Sequence, residues 1–304
     1  MDMRAIGSLA VSVVGLGTNN FGGRIDEARA RTVVHAALEE GINFFDTADI
    51  YGATASEVIL GRALAGRRDE AVIATKFGMR VDDERHGARP DYVRRAVEDS
   101  LRRLGTDRID LYILHEPDPT TPIADTLGAL DELVRAGKVR EIGCSNFSAA
   151  ELEEADAVAT GARFVNLQNH YSLLERSVEA EVLPACERLG VAFVPFFPLA
   201  GGLLSGKYRA GALPAGARLT GMPAERRGRF HNERNLAVVE RVHDFAAARG
   251  HSVLDAAFAY LLAHRVVASV IAGATTPEQV AANAAAARWV LSDTEREGLA
   301  AVTA

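Results

Sequence analysis

Apolar residues return along this chain in two alternating rhythms. Short runs of about five, rich in Val, Ile and Phe, alternate with stretches in which apolar positions recur every three or four residues. The short runs predict strands at 13–17, 43–46, 72–75, 110–114, 141–144, 164–168, 192–196 and 269–272. The longer stretches predict amphipathic helices at 26–40, 56–65, 91–104, 123–136, 149–158, 177–189, 236–249 and 252–264. Asp26 opens its helix and Asp91 follows Pro90, both start signals, while Gly41, Gly105 and Gly190 follow helix ends. Strand–helix alternation places a parallel sheet inside a layer of helices. Eight strands select a closed (β/α)8 barrel of the TIM type, since an open doubly wound sheet typically uses fewer and needs a switch point.

The ends of the chain fit that closure. Residues 3–12, with Gly7-Ser8 in the middle, predict a hairpin that plugs the barrel floor. The helix at 252–264 follows directly on its predecessor, so the C-terminal end carries extra helices. The whole chain, 1–304, is expected to form one barrel domain, a common size for this architecture. Residues 201–233 are rich in Gly, Pro and Arg and lack any period; a loop that long is functional or disordered.

Composition removes several function classes. The net formal charge is −7 and is spread along the chain, which argues against a nucleic-acid or anionic-membrane partner. The one basic cluster, Arg226, Arg227, Arg229 and Arg234, is diluted by Glu225 and Glu233 and reads as a surface loop. No apolar stretch reaches the ~18 residues of a membrane span, and Ser8 and Ser12 break the N-terminal run that an export signal needs. Cys144 and Cys186 are too few for a disulfide framework and fit a reducing cytoplasm, with Cys144 read as a buried thiol. No histidine pair has metal-ligand spacing, so no metal is expected.

Two phosphate-binding patterns fall short. Gly15-x-Gly17-x-x-Asn20 lacks the third glycine of the dinucleotide fingerprint, and its helix begins too late to aim at a pyrophosphate. Gly201-GLLS-Gly206-Lys207 would be a nucleotide-hydrolysing loop except that Tyr208 replaces the hydroxyl that holds magnesium. What remains there is a glycine-rich segment tipped with a cation. It suits either the wrapping of a pyrophosphate or an ordinary flexible loop.

Four polar residues close predicted strands: Asp46 in INFFDTADIYG, Tyr51 five positions later, Lys76 in AVIATKFG and His115 in IDLYILHEPDP. In a parallel barrel they converge on the carboxyl rim, where barrel enzymes do their chemistry. Each has a bland reading singly, as cap, turn or rim residue. Lys76 is hardest to explain away, because a lysine entering a barrel mouth needs a carboxylate beside it. Tyrosine gives up its proton only near pH ~10, so an ammonium within reach is expected to lower its pKa, with Asp46 holding that ammonium charged. A neutral His115 can donate to a carbonyl oxygen. No residue is placed as a nucleophile or metal ligand. The set therefore suits protonation of an oxyanion as hydride arrives, which calls for a nicotinamide cofactor.

The motif run GLGTNNFGG, INFFDTADIYG, ATKFG, DLYILHEPDP, GKVREIGCSNF, QNHYSLLER, PLAGGLLSGKY and VIAGATTPEQVAANAAA, in that order, resembles the aldo-keto reductase superfamily over essentially the whole chain. The resemblance implies a catalytic tetrad of Asp46, Tyr51, Lys76 and His115. It implies that Ser145, Asn146 and Gln168 grip a nicotinamide carboxamide, with Phe196 against the ring and Gly17 and Thr18 nearby. Leu199, Gly201, Leu203, Ser205 and Lys207 would cover the pyrophosphate, and Gly273, Gln279 and Asn283 would meet the adenosine. The substrate side would comprise Phe21, Tyr51, His115 and Glu116, with the loop around 218–231 setting selectivity. Glu116 also reads as a solvated rim residue.

Three positions depart from the family pattern. Phe196 keeps an aromatic face without a polar tip, His170 stands where a carboxylate is common, and Gly273, Ala274 and Gln279 replace residues that often grip a 2′-phosphate. The missing cations weaken the case for that phosphate. Family habit nonetheless points to NADPH, with NADH the other candidate. The expected function is a cytoplasmic reductase of small-molecule aldehydes or ketones. The alternative is a cofactor-binding sensor subunit with slow turnover.

Overall fold

The computed structural model describes residues 1–208, 213–214 and 216–303, apart from the side chain of Arg226. Of the 201–233 loop, positions 209–212 and 215 thus lie outside the described residues, as does the side chain of Arg226 in the basic cluster.

The chain opens with an antiparallel hairpin, β1 (Met3–Ile6) and β2 (Leu9–Ser12), turned at Gly7 with φ +55°. Eight parallel strands follow: β3 (Val14–Gly17), β4 (Phe44–Asp46), β5 (Val72–Phe77), β6 (Ile109–Leu114), β7 (Val139–Ser145), β8 (Phe164–His170), β9 (Ala192–Phe196) and β10 (Val270–Gly273). Their order around the sheet is β10-β3-β4-β5-β6-β7-β8-β9. The segment entering β10 closes the ring onto β9, where Phe193 N–H donates to Val266 O at 2.8 Å and Ala268 N–H to Phe193 O at 2.9 Å.

Helices α1 (Glu27–Glu39), α2 (Ala55–Ala63), α3 (Pro90–Leu104), α4 (Ile123–Arg135), α5 (Ala149–Val158) and α6 (Val182–Leu189) connect successive strands. After β9 come α7 (Ala224–Gly228), α8 (Glu233–Ala247) and α9 (Val253–Leu262), and after β10 come α10 (Pro277–Ala286) and α11 (Asp293–Val302). The expected TIM barrel with its hairpin and extra C-terminal helices is what the chain forms.

Strand alternation divides the core in two. Phe44, Val72, Ala74, Leu111, Ile113, Val194 and Ile271 fill the barrel interior, and Ile6, Leu9 and Val11 of the hairpin belong to the same cluster. The hairpin is therefore the floor of that core. Glu141 of β7 anchors it by accepting from Ser8 N–H at 2.7 Å. The outward residues, such as Phe45, Ile73, Tyr112 and Leu114, pack under the helices.

Several strands outrun their predicted ends. β5 continues through Lys76 and Phe77, and β8 through Asn169 and His170. A polar side chain ends an apolar pattern but not a backbone ladder; Lys76 still pairs with Ile113. The predicted 177–189 helix is a 3-10 turn, Ser177–Glu179, followed by α6. One close approach fixes a glycine: a Cβ on Gly61 of α2 would sit 2.1 Å from Leu104 O of α3. Gly61→Ala should cost about 1–3 kcal/mol by overpacking. Denaturant midpoints measure this, and an unchanged midpoint contradicts so tight a helix contact.

Candidate active site

The same alternation aims the functional side chains. Phe44, then Asp46; Val72, Ala74, then Lys76; Leu111, Ile113, then His115; Val194, then Phe196: in each strand the inward series of apolar residues ends in a functional residue at the carboxyl rim. His115 lies one step past β6, but its N–H donates to Phe77 O at 2.8 Å and keeps the register.

Lys76 Nζ donates to Asp46 Oδ1 at 2.6 Å and to Thr47 O at 2.8 Å. The other Asp46 oxygen accepts from Gln168 Nε2 at 2.9 Å. Both charged residues are nearly solvent-free, at 2% exposure for Lys76 and 3% for Asp46. Burial alone pushes the Lys76 ammonium down, yet Asp46 and the Tyr51 phenol reverse this and the net lies above the ordinary lysine value. The Lys76 ammonium is therefore charged, and its contact with Asp46 is what makes that tolerable.

Tyr51 is carried by the turn after β4. Gly52, Ala53 and Thr54 there all have positive φ (58°, 51° and 76°), and a Cβ on Gly52 would meet Phe21 O at 2.4 Å. The turn is thus pressed onto the β3 loop. It brings the Tyr51 ring within 5.2 Å of Lys76 Nζ, measured to the ring centroid, and edge-on to His115 at 5.9 Å between centroids. Burial raises the phenol pKa above its ordinary value, the Lys76 charge opposes that rise, and the net is upward. This corrects the expected lowering: at this rim the desolvation of a phenolate exceeds the pull of one ammonium that is already shared with Asp46. The phenol is consequently protonated at neutral pH. Burial, then Lys76, depresses the His115 pKa well below the usual histidine range, so this ring is neutral; its Nδ1 has no hydrogen-bond partner.

These four residues open onto a cavity of about 640 Å³. Gly17, Ser145, Asn146, Gln168 and Phe196 line it beside the tetrad. Leu199, Gly201, Ser205 and Lys207 line it from the β9 loop, and Gly273, Gln279 and Asn283 from the β10 side. Gln168 Oε1 is a buried acceptor with no partner, ready for an N–H donor from a ligand. Asn146, at φ 63°, donates to His115 O at 2.8 Å and to Ser145 Oγ at 3.1 Å. Gly201, Gly202 and Gly206 take φ values of 69°, 102° and 79°, and the first two line the cavity.

Four expected residues do not line the cavity. Thr18 is fully buried and spends its hydroxyl on Asp46 O at 3.0 Å and Ser56 Oγ at 2.8 Å. Phe21 and Leu203 are fully buried in the outer core. Glu116 is exposed, as its solvated reading had it. Conversely, Asn20, Arg24, Ile50, Met79 and Phe197 line the cavity and were not anticipated. Each sits shortly after a barrel strand, so proximity to a strand's carboxyl end was the available signal. Phe197 also has positive φ (52°), as does Ala200 (47°); like Asn146, Ala53 and Thr54 they occupy rim loops, where strained backbone tends to mark function. His170 is not a cavity residue: it stacks on Phe196 at 5.7 Å and 10° and braces that ring from behind.

A sequence model described as "Aldo/keto reductase family" matches residues 13–303. The chain is 40% identical to the uncharacterized oxidoreductase YrpG of Bacillus subtilis, over 90% of this chain and 86% of that protein. It is 35% identical to Protein tas of Escherichia coli, covering 94% of this chain and 92% of that one. It is also 34% identical to a probable aldo-keto reductase of Glycine max, covering 84% and 74%.

Proposed function

Because the chain belongs to the aldo/keto reductase family, nicotinamide-dependent oxidoreductases of carbonyl compounds, we propose that it reduces aldehydes or ketones to alcohols with NADPH, Tyr51 acting as general acid. The observation that carries this reading is the buried Lys76–Asp46 pair set against a protonated phenol at the cavity wall. In a reduction, neutral His115 orients the carbonyl oxygen and makes it a better acceptor. A nicotinamide held at this rim would supply the hydride. As negative charge develops on the carbonyl oxygen, the Tyr51 O–H bond breaks, its proton goes to that oxygen, and Lys76 stabilises the phenolate left behind. Asp46 keeps Lys76 charged and fixed, while Gln168 keeps Asp46 in place.

The residues present suit that cofactor. The unpartnered Gln168 Oε1 would accept from a carboxamide N–H₂, with Ser145 and Asn146 beside it, and the half-buried Phe196 would offer a flat face to the ring. Arg24, Lys207 and Arg218 all line the cavity, which favours a ligand bearing several phosphates. Gln279 contributes no cation: its Oε1 accepts from Thr275 N–H at 2.9 Å. Gln168→Leu removes the free acceptor and should weaken cofactor binding by about three- to tenfold, read by fluorescence titration. Unaltered affinity contradicts the placement of the carboxamide.

Steady-state oxidation of NADPH with a panel of small aldehydes and ketones tests the proposal. Many turnovers per protein are expected. A reaction that stops after one turnover contradicts it and selects the sensor alternative.

A further inference from the structure

Asp49 lies two residues before Tyr51 in the same turn and is only 3% exposed. Its N–H donates to Lys76 O at 3.2 Å, which fastens the turn to β5. Its carboxyl Oδ1 has no hydrogen-bond partner. A carboxylate in that position is costly, since nothing replaces the water lost by one oxygen.

The groups around it relieve that cost only in part. Glu57 of α2 faces it and is itself fully buried, but Glu57 takes the nearby cation for itself. Its Oε2 accepts from Arg103 Nε of α3 at 2.5 Å, and its Oε1 from Thr75 Oγ1 of β5 at 2.6 Å. Lys76 of β5 is bonded to Asp46 and Thr47. The remaining titratable neighbours are three phenols, Tyr92 of α3, Tyr112 of β6 and Tyr51 itself, and the Tyr112 hydroxyl is also unpartnered. Asp49 thus has a second acid beside it and no cation of its own.

We propose that Asp49 is a positioning residue that acts through Tyr51: its carboxyl is neutral while the phenol donates well, and its negative charge, once formed, holds the phenol back. The inference rests on the carbonyl-reductase reading of the cavity. Burial first, then Glu57, pushes the Asp49 carboxyl up to about 7, with Arg103, the Ile50 backbone N–H and Lys76 opposing the rise. Its charge in turn raises the Tyr51 pKa and so makes a weaker acid. The switch therefore falls within the neutral range.

The sign of the linkage gives an assay that needs no turnover. A carboxyl raised from an ordinary value near 3.8 to about 7 contributes stability that is full at low pH and lost as pH climbs to about 7. Asp49→Asn removes the titration. It should unfold at a higher temperature than the wild type above that pH, with the gap closing as pH falls. A gap independent of pH overturns the buried titration.

The kinetic readout is the pH profile of kcat in NADPH-dependent carbonyl reduction. Wild-type turnover is expected to fall as pH rises through about 7, the value to which the Asp49 carboxyl is pushed. Asp49→Asn stays level across that range, and Asp49→Glu retains the fall. If the fall persists unchanged in Asp49→Asn, the inference is wrong while the reductase reading stands. If the wild type reduces no carbonyl at all, it is the reductase reading that fails.

Discussion

Tyr51→Phe is expected to lower turnover in carbonyl reduction by roughly 10²–10⁴-fold while leaving cofactor affinity nearly unchanged. The ring stays, so the edge contact with His115 and the packing of the turn persist. The only O–H group in the tetrad is gone. The residues suited to grip the cofactor, Gln168, Ser145 and Asn146, stand on β8, β7 and the loop after β7, away from the Tyr51 turn. A loss that appears only in KM, or none, removes the phenol from the chemistry.

Lys76→Met should be damaging in two separate ways. It leaves the Asp46 carboxylate, 3% exposed, with Gln168 as its remaining side-chain donor. Breaking one partner out of a buried pair costs about 3–5 kcal/mol, because the surviving charge stays in a medium that cannot solvate it. Turnover should also drop about 10²–10³-fold, the usual consequence of removing one stabiliser of developing negative charge. Asp46→Asn in the same background should restore much of the stability without restoring turnover. Denaturation and steady-state kinetics on the two variants separate the effects, and parallel recovery of both would contradict distinct structural and chemical roles for the pair.

Much of this was legible in the sequence because β-strand chemistry has a period of two. An apolar inward series that ends in Lys76 or His115 announces both the strand and the direction of its last side chain. Asp46 was legible for the same reason, whereas Tyr51, in the turn after β4, was legible only from its place in the INFFDTADIYG motif. Thr18, Phe21 and Leu203 were not. They occupy rim loops, where the chain no longer alternates and a side chain turns outward or inward according to packing. The direction of the Tyr51 pKa shift was likewise hidden: residue types reveal the ammonium, but the extent of burial that outweighs it is a property of the folded rim. Extra C-terminal helices were expected, but the bounds of α7, α10 and α11 were not, because their short, polar or Ala-rich sequences carry little apolar period; α11 buries Leu299 alone. Asp49 read as one more polar residue in a turn, and only its solvent-free, unpartnered oxygen distinguishes it.

The central claim is that the ammonium of Lys76 acts on the phenol of Tyr51. Isotope-labelled tyrosine NMR reads it most directly, with the Tyr51 resonance assigned by its absence in Tyr51→Phe and followed against pH in the wild type and in Lys76→Met. The account predicts that the phenol ionises at a higher pH once the ammonium is gone, because burial then acts unopposed. A midpoint that stays put, or moves down, contradicts it.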